Sequence, residues 1–257
     1  MRRPGKVVLA GAGPGDEELI TIKLQHRLAE ADVIITDRLV NSLIITLNAR
    51  KDVEIILAGK KGYNKNSLSQ EQVTALIIEH AGKGKNVLRL KGGDVAFFSN
   101  LFDELVALKE NKIPFEIIPG ITAASGASAY TGIPLTARNY SQGVQCLTFN
   151  PNSNYSPAKW RQLAASGDTL VFYMAASTIC VLSQKLMDYD CPASTGIAVI
   201  EQATTIYQHV HVSTLENCRK DFSESAFSSP SLVIVGDVVR LHDQFNWFQS
   251  IGTGSVF

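Results

Sequence analysis

The chain has 257 residues, 45% of them hydrophobic and 19% charged, values that suit a protein with a packed core. Its 24 Lys and Arg cancel its 24 Asp and Glu, which argues against a binder of nucleic acid or anionic membrane, since either needs a concentrated basic face. The length allows one large α/β domain or two modest ones.

Short β-branched runs alternate with helical patterns through the first half. Val7–Ala10 reads as a strand, Leu19–Ala29 as a helix, Val33–Thr36 and Val53–Leu57 as strands. Gln70–His80 reads as a helix behind the N-cap candidate Ser69, with apolar spacing at Val73, Leu76 and Ile77. Asn86–Leu90 (strand), Leu101–Glu110 (helix) and Phe115–Ile118 (strand) complete the series. Strands separated by helices imply parallel pairing through crossover connections. The second half differs. Gln145–Thr148, Thr169–Tyr173, Ile197–Ile200, His209–Thr214 and Leu232–Val235 read as strands, Trp160–Ala165 and Thr178–Met187 as helices. Consecutive strands near the end predict a mixed sheet with antiparallel members. The small-residue stretch Gly120–Gly132 separates the halves, so the expected domains are 1–119 and 120–257.

Apolar runs such as Val33–Ile35 are far too short to span a bilayer. The start shows no apolar signal-peptide region after Arg2-Arg3. Cys146, Cys180, Cys191 and Cys218 form no CxxC pair and have no histidine at metal-ligand spacing. The expectation is a cytoplasmic protein with reduced thiols and no metal.

Three small-residue turns follow strands. Gly11-Ala12-Gly13-Pro14-Gly15-Asp16 invites a dinucleotide fingerprint, with Asp37 near the end of the second strand. It fails in detail, because Asp16 stands where the third glycine belongs and Pro14 removes an N–H. A carboxylate there repels a pyrophosphate, so a nicotinamide-dependent dehydrogenase is disfavoured. The other turns are Lys91-Gly92-Gly93-Asp94 and Pro119-Gly120-Ile121-Thr122-Ala123. Together at the carboxyl edge of one parallel sheet, they make a nucleoside-sized pocket.

This combination resembles the tetrapyrrole (corrin/porphyrin) methylases, closest to their uroporphyrinogen-III C-methyltransferase branch. That family opens with V-x-L-V-G-A-G-P-G-D-x-x-L-x-T-x-K, matched from Val7 to Lys23. The "DRLV" of the uroporphyrinogen branch stands at Asp37–Val40, and its "VGK" at Ala58-Gly59-Lys60. "VVRLKGGD" matches Val87–Asp94, "IPFEVVPGITAA" matches Ile113–Ala124, and "AYAGIPLTHRDY" matches Ala129–Tyr140. In the second half "TLVFYM" stands at Thr169–Met174 and "SPxLxxVGxVVxL" at Ser229–Leu241.

The resemblance implies two α/β domains of the tetrapyrrole methylase type with the ligand cleft between them, a homodimer in the family's manner, and S-adenosylmethionine as methyl donor with S-adenosylhomocysteine as product. It places the donor at Pro14, Gly92, Gly93, Asp94, Phe97, Thr122, Ala123, Met174 and Ala203. Asp94 reads either as an acceptor for the donor's polar groups or as a helix N-cap. The acceptor implied is uroporphyrinogen III, methylated twice on ring carbons to give precorrin-2 for sirohaem or cobalamin. Proton acceptor and donor roles fall on Asp37 and Lys60. Eight substrate carboxylates call for cations, for which Arg38, Lys61, Arg89, Lys91 and Arg138 are candidates.

The pattern breaks at the family's "GGDPFIFGRGGEE", here Gly92–Glu104. Val95 replaces its proline, Asn100 its arginine, and Ser99, Leu101 and Phe102 its glycines. Asn150 stands where "VTGH" ends in histidine, and "ENGT" is Glu201-Gln202-Ala203-Thr204. These changes leave two alternatives open. One is a methylase of the same fold with another acceptor, whether a later or altered tetrapyrrole, a translation factor or ribosomal RNA. The other is a non-catalytic binder of donor or tetrapyrrole.

Overall fold

The computed structural model describes residues 4–58, 68–152 and 155–257. The chain divides into two compact units, one running to Ala123 and including Val256–Phe257, the other Ala124–Ser255.

The first unit holds β1 (Val7–Gly11), α1 (Ile22–Glu30), β2 (Val33–Thr36), α2 (Ser42–Asn48), β3 (Glu54–Leu57), α3 (Gln70–Gly82), β4 (Val87–Lys91), α4 (Leu101–Glu110) and β5 (Phe115–Ile118). Its strands form one all-parallel sheet in the order β3-β2-β4-β1-β5. The central strands β1, β2 and β4 are buried along their whole length, as helices on both faces require. Leu24 and Leu28 of α1 and Ile44 and Ile45 of α2 pack on Val8, Ala10, Ile34 and Leu88. On the other face Val73 and Ile77 of α3 and Leu108 of α4 pack on Val7, Leu9, Ile35 and Val87. The connection leaving β1 therefore runs over one face and that leaving β4 over the other. These neighbouring strands flank a topological switch point, where open α/β sheets form a crevice at the strands' carboxyl ends.

The first helix is shorter than its sequence pattern predicts. Asp16 accepts a hydrogen bond from the Glu18 N–H at 2.8 Å and starts a single 3-10 turn. Ile20 is then extended, and Thr21 caps α1 through the Leu24 N–H. Three cations converge on Glu116 of β5: Lys23 and Lys6 at 2.5 Å and Arg27 at 3.1 Å. Hydrogen bonds from Lys23, Lys6 and Arg27 hold its carboxyl down to about 2, from an ordinary 4.5. The contribution to stability is therefore present above pH 4.5 and lost as pH falls towards 2. Discounted for the solvent around both lysines, Glu116→Gln is expected to cost about 1–2 kcal/mol at neutral pH. Urea denaturation of both proteins should show that difference shrinking as the pH is lowered.

The second unit carries α5 (Ala123–Thr131, all but its first residue), β6 (Val144–Thr148), α6 (Pro157–Ala165), β7 (Thr169–Tyr173), α7 (Ile179–Asp188), β8 (Gly196–Glu201), β9 (His209–Thr214), α8 (Cys218–Phe222), β10 (Ser231–Val235) and α9 (His242–Phe245). The sheet runs β6-β7-β10-β8-β9, with β6 and β7 parallel and every other pair antiparallel. One face is covered by Trp160, Leu163, Ile179, Leu182, Leu186 and Phe222, the other by Ala124, Ala127, Ile133, Val238 and Val239. Among the described residues no helix is long and apolar enough to cross a membrane.

Candidate active site

Backbone geometry brings the three small-residue turns of the first unit together. Gly13 and Gly93 exchange hydrogen bonds in both directions, N–H to carbonyl at 3.1 and 2.7 Å, and the Ala12 N–H donates to the Lys91 carbonyl at 2.7 Å. Gly93 has φ +67°, which suits glycine. The Asp94 carboxylate joins the third turn, accepting from the Gly120 N–H through Oδ2 and from the Ala96 N–H through Oδ1, both at 2.7 Å. At Gly120 a β-carbon would lie 2.3 Å from the Gly93 carbonyl oxygen, so the turns touch backbone to backbone.

This geometry bears on what kind of ligand the edge suits. The N–H groups of Ala12, Gly13, Gly93 and Gly120 are all donated within the protein, and Pro14 has none. A phosphate nest needs N–H groups aimed outward, so a pyrophosphate finds little here. Half-exposed Gly92 and Gly93 and the nearby carboxylates suit a nucleoside bearing positive rather than negative charge. Ala123 adjoins the cradle, its nitrogen 3.7 Å from where a Gly93 β-carbon would sit. Pro14 is buried, Thr122 half-buried and Phe97 exposed, the Phe97 N–H closing a turn onto the Asp94 carbonyl at 3.2 Å.

Beside the cradle lies a charged chain. Arg89 and Lys91 occupy alternate positions of β4 and point to the same face, where both are buried. Arg89 donates through Nη2 to Asp37 Oδ1 at 2.6 Å, through Nε to Glu104 Oε1 at 3.1 Å, and through Nη1 to the Ile35 and Leu90 carbonyls. Lys91 lies 3.0 Å from the same Glu104 oxygen and also donates to the Ser99 carbonyl. Gln70 adds a third donor to Glu104 Oε1 at 3.2 Å, while the buried Oε2 has no partner among the described residues. Burial pushes the Lys91 ammonium pKa down, and Glu104 pulls it back up. Of these four charged side chains Asp37 reaches solvent, 32% exposed against 3% for Arg89, 2% for Lys91 and 0% for Glu104.

The remaining candidates lie as follows. Arg38 is half-buried directly after Asp37. Arg138 is exposed in a turn closed by mutual Ala137–Ser141 hydrogen bonds. Lys60 and Lys61 lie outside the described residues. In the second unit Met174 follows β7 and Ala203 follows β8, both beside the start of β10, so they share one sheet edge. Met174 is exposed with φ +58°, and buried Ala203 stands between Gln202 at φ +45° and Thr204 at φ +70°. A β-branched residue in the left-handed region is strained, which marks this loop as held for a purpose. Sequence reasoning passed over Glu104 and Gln70. The signal was present, since Arg and Lys alternating in a fully buried strand demand a carboxylate partner.

Residues 6–218 match the model of the tetrapyrrole (corrin/porphyrin) methylases, and the chain belongs to that family. The siroheme synthase of Pseudomonas paraeruginosa is 41% identical over 251 residues, 98% of this chain and 54% of the relative. That of Azotobacter vinelandii is 43% identical over 245 residues, 95% of this chain and 52% of the relative. The chain thus spans about half the length of the curated relatives it matches. Among solved structures, the uroporphyrin-III-C-methyltransferase of Thermus thermophilus superposes with a TM-score of 0.77 at 30% identity, covering 95% of this chain and 97% of that one. The Thermus enzyme is also known complexed with S-adenyl homocysteine, there at 29% identity, a TM-score of 0.76, and 92% and 94% coverage.

Proposed function

We propose that this chain transfers methyl groups from S-adenosylmethionine to ring carbons of uroporphyrinogen III, twice in succession, giving precorrin-2. The observation that carries this reading is the pairing of a partly exposed, Arg89-anchored carboxylate, Asp37, with a neighbouring glycine cradle whose Ala12, Gly13, Gly93 and Gly120 N–H groups donate within the protein. The likeness to the Thermus methyltransferase supports both the donor and the acceptor. The donor supplies an electrophilic methyl on a sulfonium. The glycine turns hold the nucleoside against the sheet edge, where backbone can approach closely. Attack by a ring carbon leaves the tetrapyrrole one positive charge richer, and loss of a proton to Asp37 restores neutrality. Lys60 serves as the opposite partner where the framework tautomerises, giving a proton to one position while a second proton leaves another, so each methyl transfer still releases one net proton. Arg38, Lys61 and Arg138 are the cations this reading assigns to the substrate carboxylates. Arg89 and Lys91, both buried, bind Asp37 and Glu104. The same reading takes the protein as a cytoplasmic homodimer, which sedimentation at micromolar concentration would check.

The test is anaerobic incubation with S-adenosylmethionine and freshly reduced uroporphyrinogen III, read by mass spectrometry. The expected result is a product two methyl groups heavier. Lys60→Ala is expected to slow its formation by about 100-fold or more without weakening S-adenosylhomocysteine binding in calorimetry. A second reading keeps the donor and changes the acceptor. It is favoured by Asn100, exposed and left-handed at φ 55° where the family's arginine is expected. Donor binding with no methylation of uroporphyrinogen III, but methylation of another tetrapyrrole, would select it.

A further inference from the structure

We infer that Arg89 and Glu104 are positioning residues for the Asp37 carboxylate, and that Lys91 carries the same buried linkage to the loop after β4; this rests on the reading of Asp37 as proton acceptor. Charges in a parallel strand covered on both faces are costly, and well-packed apolar residues usually serve stability as well. Something other than packing therefore accounts for them. Arg89 is tied at three nitrogens to four acceptors, which fixes the plane of its guanidinium. That plane presents Nη2 to Asp37 Oδ1 at 2.6 Å, a short charge-assisted contact that orients the carboxylate at the sheet edge. Glu104 is fully buried, and its Oε1 takes Arg89, Lys91 and Gln70 together. Lys91 in turn holds the Ser99 carbonyl, in the loop that carries Asp94 and Phe97. One carboxylate in the core thus joins the group that would take the proton to the loop that would hold the donor.

The test is a double-mutant cycle with Arg89→Met and Asp37→Asn, read as kcat, acceptor KM and S-adenosylhomocysteine Kd. Arg89→Met alone is expected to lower kcat at least about tenfold with KM and Kd within about twofold, and Arg89→Lys to recover part of the loss. In the Asp37→Asn background the same change is expected to cost less than about twofold, because Arg89 acts through Asp37. Equal losses in both backgrounds, or full kcat in Arg89→Met, would overturn the inference. A raised acceptor KM at unchanged kcat would overturn it too, returning Arg89 to direct contact with substrate carboxylates. Full turnover in Asp37→Asn would instead sink the proton-acceptor reading, and this inference with it. If circular dichroism shows Arg89→Met unfolded, Glu104→Gln replaces it in the cycle with the same expected pattern.

Discussion

Asp37→Asn is expected to reduce methyl transfer to uroporphyrinogen III by about 100–10,000-fold, the range that a positioned acid or base contributes. The substitution is chosen for what it keeps. An asparagine oxygen still accepts from Arg89 Nη2, now 2.6 Å from the carboxylate, so the turn after β2 retains its anchor. What goes is the negative charge and with it the capacity to take a proton at neutral pH. Arg89, buried on β4, loses one of two counter-charges and keeps Glu104. A stability loss of about 1–3 kcal/mol should accompany the change and be visible in urea denaturation. S-adenosylhomocysteine affinity should be unaltered, because the turns proposed to hold the donor are built from other residues. Single-turnover mass spectrometry separates the outcomes: loss of product with donor binding intact supports the assignment. Wild-type rates would show that the proton leaves by another route.

How much of this was legible beforehand depends on the range of the interaction. The strands of the first unit were visible because β1 and β2 are short apolar runs and β4 alternates apolar with basic residues, each bounded by glycine or polar residues. The helix Ser42–Asn48 was not. Its run Leu43-Ile44-Ile45-Thr46 has the composition of a strand, yet Asn41 caps it through the Leu43 N–H while Ile44 and Ile45 dock onto the sheet. Cap and docking together override a weak local preference. At the site, the glycines announced turns at strand ends, but not that the turns would consume one another's N–H groups. That depends on Gly13 meeting Gly93, 80 positions away, which only the strand order decides. Arg89 and Lys91 were read as cations available to a substrate, since alternation says which face a residue takes and not what waits there. Glu104, from the next helix, was waiting there.

Gly120→Ala tests the interlocked turns, and Gly82→Ala is its natural counterpart. At Gly120 the new β-carbon would stand 2.3 Å from the Gly93 carbonyl oxygen and 2.8 Å from the Gly11 carbonyl carbon. Both are backbone atoms, so no flexible side chain can yield, and one of the three turns has to move. Overpacking of this kind costs about 1–3 kcal/mol or more. The movement also pulls the Gly120 N–H from Asp94 Oδ2, loosening the loop that carries Phe97. S-adenosylhomocysteine affinity is therefore expected to fall about 10–100-fold, equivalent to about 1.4–2.7 kcal/mol. At Gly82, the last residue of α3, nothing among the described residues lies within 4 Å of the added carbon. There alanine should stabilise the protein by about 0.4–1 kcal/mol through helix preference and a stiffer unfolded chain, and leave donor binding alone. Calorimetric titration and urea denaturation of both variants give the answer. Equal donor affinity in the two would mean that the contact among Gly11, Gly93 and Gly120 is a packing detail, and the donor would have to be sought elsewhere on the sheet edge.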